Sequence, residues 1–143
     1  MTAYDPISLK ILWDRLVAIA DELVLSLVRT SFSMNVREGY DLSCMIFDAR
    51  GRLLTQGSYS VPSFTGTAPA TMGHMLQAFP VETIRPGDII ITNDPWMGTG
   101  HLFDINVMRP VFRADRLVGF TMSVTQLCLL YTSDAADERS SVD

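Results

Sequence analysis

The sequence predicts a mixed α/β fold in which a long N-terminal helix packs on a mixed β-sheet, within an incomplete domain. Three observations support this class. Apolar residues recur at three- and four-residue steps near the N-terminus, short apolar runs follow, and turn residues separate those runs. A chain of 143 residues is long enough for one domain with a modest core.

The long helix is predicted to begin at Asp5 and Pro6 and to continue to Thr30. An aspartate can cap the free amides of a first turn, and a proline at the first position loses no hydrogen bond. The apolar face is too wide for a helix surrounded by solvent, so we expect it to pack against a sheet or other helices. The repeating positions are Leu12, Leu16, Ile19, Leu23 and Leu27.

Two short apolar runs, 42–47 and 52–56, flank a turn that contains Gly51 and therefore predict a β-hairpin. Pro86 and Gly87 mark a further turn. The other predicted elements are a loop over 58–66, a helix over 69–79, a strand over 88–92 buried on both faces, and strands over 105–112 and 117–124.

Composition excludes several functional classes. The net charge of −5 gives no indication of nucleic-acid binding. Cys44 and Cys128 lack any close spacing, which argues against a disulfide framework and against a cysteine-based zinc site. Charged residues interrupt the apolar stretch 7–28, so no membrane span is predicted. The N-terminus lacks the pattern of a secretory signal, and we therefore expect a cytoplasmic protein.

The last sixteen residues do not resemble the rest of the chain. The run CLLYTSDAADE, which begins at Cys128, has no hydrophobic period and matches the translation of a transposon-end adapter used in sequencing libraries. We therefore expect residues 1–127 to be the N-terminal fragment of a longer domain. Residues 128–143 are expected to be a non-native, disordered tail to which no function should be assigned.

The stretch NDPWMGTGHLFD, residues 93–104, carries the most interesting chemistry. His101 and Asp104 are three residues apart, so in a tight turn both can reach one ion. A mixed nitrogen and oxygen set suits Mn²⁺, Fe²⁺ or Zn²⁺. Two ligands do not hold a metal firmly, however, and the spacing alone favours a solvated or capping pair over a metal site.

Three other residues of this stretch have open interpretations. Asp94 precedes a proline, which is a favoured start of a turn, but it also follows a predicted strand, where α/β proteins commonly place ligands. It is therefore either a turn residue, a partner that orients His101, or an acid–base catalyst. Gly98 and Gly100 allow either a flexible turn or a close approach to a phosphate, and the turn is the better supported of the two.

Five stretches resemble the hydantoinase B/oxoprolinase family, near its N-terminus. They are DPISLKILWDRLVAIADEL, VREGYDLSCMIFDARGRLLTQ, GTAPATMGH, RPGDIIITNDPWMGTGHLFDINVMRPVF and LVGFTMSVT, which together cover nearly all of residues 4–126. The family includes the hydantoinase B component of N-methylhydantoinase, 5-oxoprolinase and a large subunit of acetone carboxylase. One departure is Gly98-Thr99-Gly100, where the family more often has adjacent glycines.

The resemblance implies a fragment of an ATP-dependent hydrolase subunit that opens cyclic amides such as hydantoin or 5-oxoproline. It also implies a hydantoinase A-like partner subunit that uses the ATP, and a fragment that is inactive alone. A carboxylase that acts on a ketone and a non-catalytic assembly module are the alternatives.

The resemblance also makes His101 and Asp104 half of a divalent metal site, containing Mn, Fe or Zn in the full-length parent. The acetone carboxylase relatives bind manganese with such residues. The second histidine of the site is expected where this chain has Gln126.

Three further residues are weaker candidates. Arg37 is either a binding residue for a substrate carboxylate or, more commonly, part of a surface ion pair. His74 lies among apolar residues of a predicted helix and is interpreted as structural. Cys44 lies on a predicted buried strand without an evident general base, so we expect core packing and not nucleophilic catalysis.

Overall fold

One antiparallel sheet with helices on both faces forms the fold. The computed structural model describes residues 5–127; the predicted tail at 128–143 lies outside them. The α/β class and the packing of the N-terminal helix on the sheet are confirmed. The helices are α1 (Pro6–Thr30), α2 (Met34–Arg37), α3 (Pro62–Ala78) and a 3-10 turn (Val81–Thr83), and the strands are β1 (Leu42–Asp48), β2 (Leu53–Gln56), β3 (Ile90–Thr92), β4 (Asp104–Arg113) and β5 (Arg116–Gln126).

The strand order is β2-β1-β5-β4-β3, and every described pair of neighbours is antiparallel. The sequence analysis predicted a mixed β-sheet, but the strands of this sheet are all antiparallel to their neighbours. Two tight hairpins, β1–β2 and β4–β5, supply most of the pairing, and tight turns can only join antiparallel strands. The central pair, β1 with β5, joins the two hairpins.

Helix α1 begins as predicted, because the Asp5 carboxylate accepts a hydrogen bond from Ser8 N at 3.2 Å and Pro6 follows it. Only its C-terminal half is well buried, through Ala20 and Val24. The 25-residue helix is about 37 Å long. Strand β1, against which it packs, has seven residues and spans only about 23 Å. The N-terminal half of α1 accordingly leaves apolar side chains such as Trp13 exposed.

Helix α3 covers the opposite face of the sheet and closes the larger core. Side chains of three neighbouring strands form rows beneath it, because Met45, Met122 and Met108 are paired in register. All three methionines are fully or almost fully buried. The helix contributes Phe64, Ala68, Met72 and Met75 to the same cluster.

Two local predictions were wrong. Helix α3 begins at Pro62, so most of the predicted loop is helical and Pro69 lies inside the helix. The buried side chains of Phe64 and Ala68 hold these turns on the sheet despite the hydrogen bond that Pro69 cannot donate. Strand β3 is not buried on both faces: it is the edge strand, and Ile91 remains 62% exposed.

Within residues 5–127, none of the helices combines the length and apolar character needed to cross a membrane.

Candidate metal centre

Residues 93–103 form a loop between β3 and β4 that is closed by its own hydrogen bonds. The Asp94 carboxylate accepts from Trp96 N at 2.8 Å, and the Asp94 carbonyl accepts from Gly98 N at 2.8 Å. Helix α3 holds the middle of the loop, because Nδ1 of His74 lies 3.0 Å from the carbonyl oxygen of Met97. His74 therefore has the structural role that its sequence context indicated.

The two glycines of the loop are required by its backbone. A Cβ atom on Gly98 would stand 2.9 Å from the carbonyl oxygen of Asp94 and 3.0 Å from Nδ2 of Asn106. Gly100 has a φ of 87°, a conformation that side chains rarely allow. The interpretation of these glycines as turn residues explains both positions without a phosphate.

The predicted pair, His101 and Asp104, is brought together at the end of this loop. Nδ1 of His101 lies 3.3 Å from Oδ1 of Asp104, and the other oxygen, Oδ2, accepts a 2.6 Å hydrogen bond from the Thr99 hydroxyl. The Asp104 N–H also donates to the His101 carbonyl at 3.1 Å. Asp104 is only 3% exposed, whereas His101 is partly open to solvent. The turn thus presents a buried carboxylate beside an accessible imidazole.

A third ionisable residue, Asp41, belongs to the same region and was missed in the sequence. The Asp41 carbonyl accepts from Gln126 N at 3.1 Å, and Gln126 is the register partner of Asp104. Asp41, Gln126 and Asp104 therefore form a row across neighbouring chain segments at one end of the sheet. Burial and the negative charge of Asp104 raise the pKa of Asp41, while His101 acts in the opposite direction.

The donor pair fits a divalent cation, but only as part of a site. Two ligand atoms about 2.1 Å from one ion, in tetrahedral or octahedral geometry, lie about 3.0–3.4 Å apart. The 3.3 Å between Nδ1 of His101 and Oδ1 of Asp104 falls in that range. Within residues 5–127, no three His, Cys, Asp or Glu side chains are grouped closely enough to hold an ion.

Asp94 is placed differently from the pair. Its Oδ1 is used by the turn, and the described hydrogen bonds of His101 lead to Asp104 and not to Asp94. The structure therefore shows no contact through which Asp94 would orient His101. The carboxylate of Asp94 is nevertheless exposed at the surface of the loop.

The two remaining candidates do not join this region. Cys44 is 1% exposed, and burial raises the pKa of its thiol to about 12, which agrees with core packing and not with a nucleophile. Arg37 is exposed at the end of α2, and the ion pairs found among residues 5–127 do not include it.

Comparison with known proteins identifies the family. The family model for hydantoinase B/oxoprolinase matches residues 5–128, most of the chain. The chain belongs to the hydantoinase B/oxoprolinase family. It is 32% identical over 121 residues to a putative B-type D-/L-hydantoinase component from Pseudomonas sp. (strain NS671), covering 83% of this chain and 20% of that protein. It is 36% identical over 119 residues to 5-oxoprolinase 1 from Arabidopsis thaliana, covering 83% of this chain and 9% of that protein.

Two solved structures share the fold of this family member, each at 25% identity. A nucleotide-free acetone carboxylase, described with ATP-dependent acetone carboxylation, superposes with a TM-score of 0.75 over 85% of this chain and 16% of its own. An ATP-dependent caprolactamase from Pseudomonas jessenii gives a TM-score of 0.68 over 88% of this chain and 21% of its own. The chain thus spans about a fifth or less of these relatives.

Proposed function

We propose that this chain is the N-terminal part of a subunit of an ATP-dependent hydrolase that opens cyclic amides such as hydantoin or 5-oxoproline. The names of the relatives support this reaction class, since they include a hydantoinase component, 5-oxoprolinases and a caprolactamase. The observation that carries the proposal is the His101–Asp104 pair, which offers an imidazole nitrogen and a buried carboxylate oxygen at the separation of two metal ligands.

In this proposal His101 and Asp104 bind a divalent cation of the Mn, Fe or Zn type. When bound, such an ion polarises an amide carbonyl or activates water. Asp41 adds a further negative charge to the same end of the sheet, where it favours a cation over a neutral ligand. Gln126 lies between Asp41 and Asp104, at the position where the family resemblance places a second histidine.

Asp94 is the proposed acid–base residue. It is exposed on the same loop, and only its Oδ1 takes part in the hydrogen bonds described for its side chain. The second oxygen is available to exchange a proton with a substrate that approaches from solvent.

The ATP chemistry is assigned to a hydantoinase A-like partner subunit. One relative is named as a single component of a hydantoinase that has more than one subunit, and both solved structures are described as ATP-dependent. This chain has no sequence that resembles a phosphate-binding loop with its lysine. In this proposal the partner subunit phosphorylates the amide carbonyl.

The test uses the full-length subunit, purified together with its partner. Hydantoin, 5-oxoproline and caprolactam are supplied with ATP, and ADP release and the ring-opened acid are measured. We expect His101→Ala combined with Asp104→Ala to lower turnover by at least about a hundredfold, as for the loss of metal ligands. The substitution Asp115→Asn, in the β4–β5 turn, is the control for removing a surface carboxylate. Normal turnover by the double variant would exclude the proposed metal chemistry.

A second candidate is a carboxylase that acts on a ketone, and the TM-score of 0.75 with acetone carboxylase favours it. The same complex is therefore also given acetone, ATP and labelled bicarbonate. Label in an acid-stable product would identify the carboxylase. If neither reaction occurs but the partner subunit is still captured, the chain is an assembly module, for which the exposed apolar surface of α1 is suited.

A further inference from the structure

We infer that the α1 side of strands β4 and β3 is the docking surface for an amphipathic helix from the remainder of the same full-length polypeptide, and that this helix carries a carboxylate opposite Arg109. The inference rests on the proposal that the chain is the N-terminal part of a longer subunit, and not on the reaction proposed for that subunit. The surface is called the open face, and its residues are Ile89, Ile91, Ile105, Val107, Arg109 and Val111.

The register of the sheet assigns these side chains to the side that α1 covers in part. Cys44, which packs against α1, is paired with Ser123, and Ser123 is paired with Val107. Val107 is paired in turn with Ile91 on the edge strand. Directly opposed residues share one face of a sheet. Exposure rises along this row from 1% at Cys44 to 62% at Ile91, so α1 covers β1 and leaves the far side of the face open.

The composition of the open face is not that of a sheet surface in solvent. In an antiparallel sheet with one solvated face, buried apolar residues alternate with polar ones. Met108 and its neighbours on the other side of β4 are buried by α3, yet the alternate positions are also apolar, except for Arg109. Ile89, Ile91 and Val111 are 58%, 62% and 39% exposed. A contiguous apolar surface of this kind indicates an interaction site.

The open face has the dimensions of one helix. Neighbouring strands are about 4.8 Å apart, so β5 to β3 spans about 10 Å, the diameter of a helix. Strand β4 has ten residues and is about 33 Å long. A cavity of about 270 Å³ lies between Leu23 of α1 and Val107, and a second of about 250 Å³ lies between Ile19 and Val111. A helix beside α1 would fill both cavities and, unlike an extended segment on this face, would satisfy its own backbone hydrogen bonds.

Arg109 determines the charge expected on the docking helix. It is exposed in the middle of β4, and the ion pairs found between residues 5 and 127 do not include it. A helix over β4 would cover the guanidinium group, and a charge removed from water needs an opposite charge beside it. An aspartate or glutamate on the helix can accept two parallel hydrogen bonds from the guanidinium group.

The length of the relatives favours a segment of the same polypeptide as the occupant. The matched region is 20% of the hydantoinase component and 21% of the caprolactamase, so about four-fifths of each polypeptide lies outside it. A segment joined to the sheet through one chain has a much higher effective concentration than a separate protein. A second copy or the partner subunit would have to displace that segment.

The experiment measures how fast a maleimide labels a cysteine on the open face. Ile91→Cys is prepared in the 143-residue chain and in the full-length subunit without its partner. The matched control is Glu82→Cys, an exposed position in the 3-10 turn, whose neighbour Val81 packs with the core on the other side of the sheet. Light scattering verifies that both proteins are monomeric, and mass spectrometry identifies the labelled peptide.

We expect position 91 to be labelled at least about a hundredfold more slowly in the full-length subunit than in the short chain, as for a site exposed only by local opening. Position 82 should be labelled at similar rates in both proteins. If Ile91→Cys does not fold, Ile89→Cys is compared in the same way.

Charge reversal tests the carboxylate opposite Arg109. Arg109→Glu, added to the full-length Ile91→Cys variant, should speed labelling by about tenfold or more, because it places like charges together. Arg116→Glu, at the exposed start of β5, should leave the rate unchanged. A photo-reactive benzophenone amino acid at position 91 then identifies the occupant. Its cross-links should lead to one segment after residue 127 that has an acidic residue and apolar residues at three- and four-residue steps.

Three results would overturn the inference. Equal labelling of position 91 in the short chain and the full-length subunit, whether fast or slow, would show that no later segment covers the face. Protection or cross-links that require a second copy or the partner subunit would identify a different occupant. Equal effects of Arg109→Glu and Arg116→Glu would exclude the carboxylate. Turnover is not among these measurements, so failure of the proposed reaction and failure of this inference are distinguishable.

Discussion

The thiol of Cys44 should be almost inert in the folded protein. It lies in an apolar cluster with Val24, Val36 and Leu42, and burial raises its pKa from the ordinary value of 9.0 to about 12. At pH 8 an ordinary thiol is about one-tenth ionised, whereas Cys44 is ionised in about one molecule in ten thousand. Alkylation through the thiolate should therefore be about a thousandfold slower than in the unfolded chain.

The assay follows iodoacetamide labelling by mass spectrometry at pH 8, with and without urea. The substitution Cys128→Ser leaves Cys44 as the single thiol. Burial also blocks access to the thiol, which slows labelling further. If labelling of the folded protein came within about tenfold of the urea rate, the thiol would be ionised and accessible, and Cys44 would become a candidate nucleophile.

The same pKa makes stability depend on pH in a defined direction. Because the folded pKa is raised, the stabilisation from the neutral thiol is complete below pH 9 and is lost as the pH rises towards 12. About 2 kcal/mol of this contribution should be lost by pH 10.5. Urea unfolding at pH 8 and pH 10.5 should show this loss in the wild type but not in Cys44→Ala. An equal pH dependence in both proteins would refute the reasoning.

Three further substitutions test the fold. Gly119→Ala should destabilise by about 1–3 kcal/mol in urea unfolding, because the added Cβ would overlap the backbone of β1; wild-type stability would contradict the tight packing of β5 on β1. Gly73→Ala is the matched control and should stabilise by about 0.5–1 kcal/mol, because nothing lies within 4 Å of that helical position. Asp48→Asn should cost about 1–2 kcal/mol at pH 7, because its carboxylate accepts hydrogen bonds from Arg50 and Arg52. Burial alone would raise the pKa of Asp48, but these hydrogen bonds and the charge of Arg52 lower it. Its stabilisation should therefore persist above pH 4 and disappear as acid protonates it, and an unchanged acid transition in Asp48→Asn would count against this.

Local sequence patterns were sufficient for the parts of the fold that depend on local physics. Helix α1 has a capping aspartate, a proline at its first position and a regular apolar face, and its bounds agree with the structure. The β1–β2 hairpin has a compatible turn containing Gly51, whose φ is 75°. The start of α3 was missed because Pro62 and Pro69 resemble loop residues, and only contact with the sheet stabilises that segment as a helix.

For the candidate site too, the sequence indicated the residues that are close together in the chain and missed the one that is distant. His101 and Asp104 are three residues apart, so one turn brings them together, and the family resemblance drew attention to a pair that the spacing alone signals only weakly. Asp41 lies far away in the sequence, and only the pairing of β1 with β5 and of β5 with β4 brings it to the same end of the sheet. No local pattern encodes such a register, although an acidic residue directly before a predicted strand was a usable signal.

The pairing of β5 with β1, which joins the two hairpins, has a consequence for folding kinetics. Hairpins form quickly from local contacts, but pairing β1 with β5 must close a long loop, which is slow. Asp41 belongs to the first hairpin, whereas His101 and Asp104 belong to the segment that leads into the second. The complete set of charges can therefore exist only after this last docking step. Any cation attracted to this end of the sheet by Asp41 and Asp104 together would bind the docked state in preference to the undocked one, and its binding would be thermodynamically linked to the final folding step.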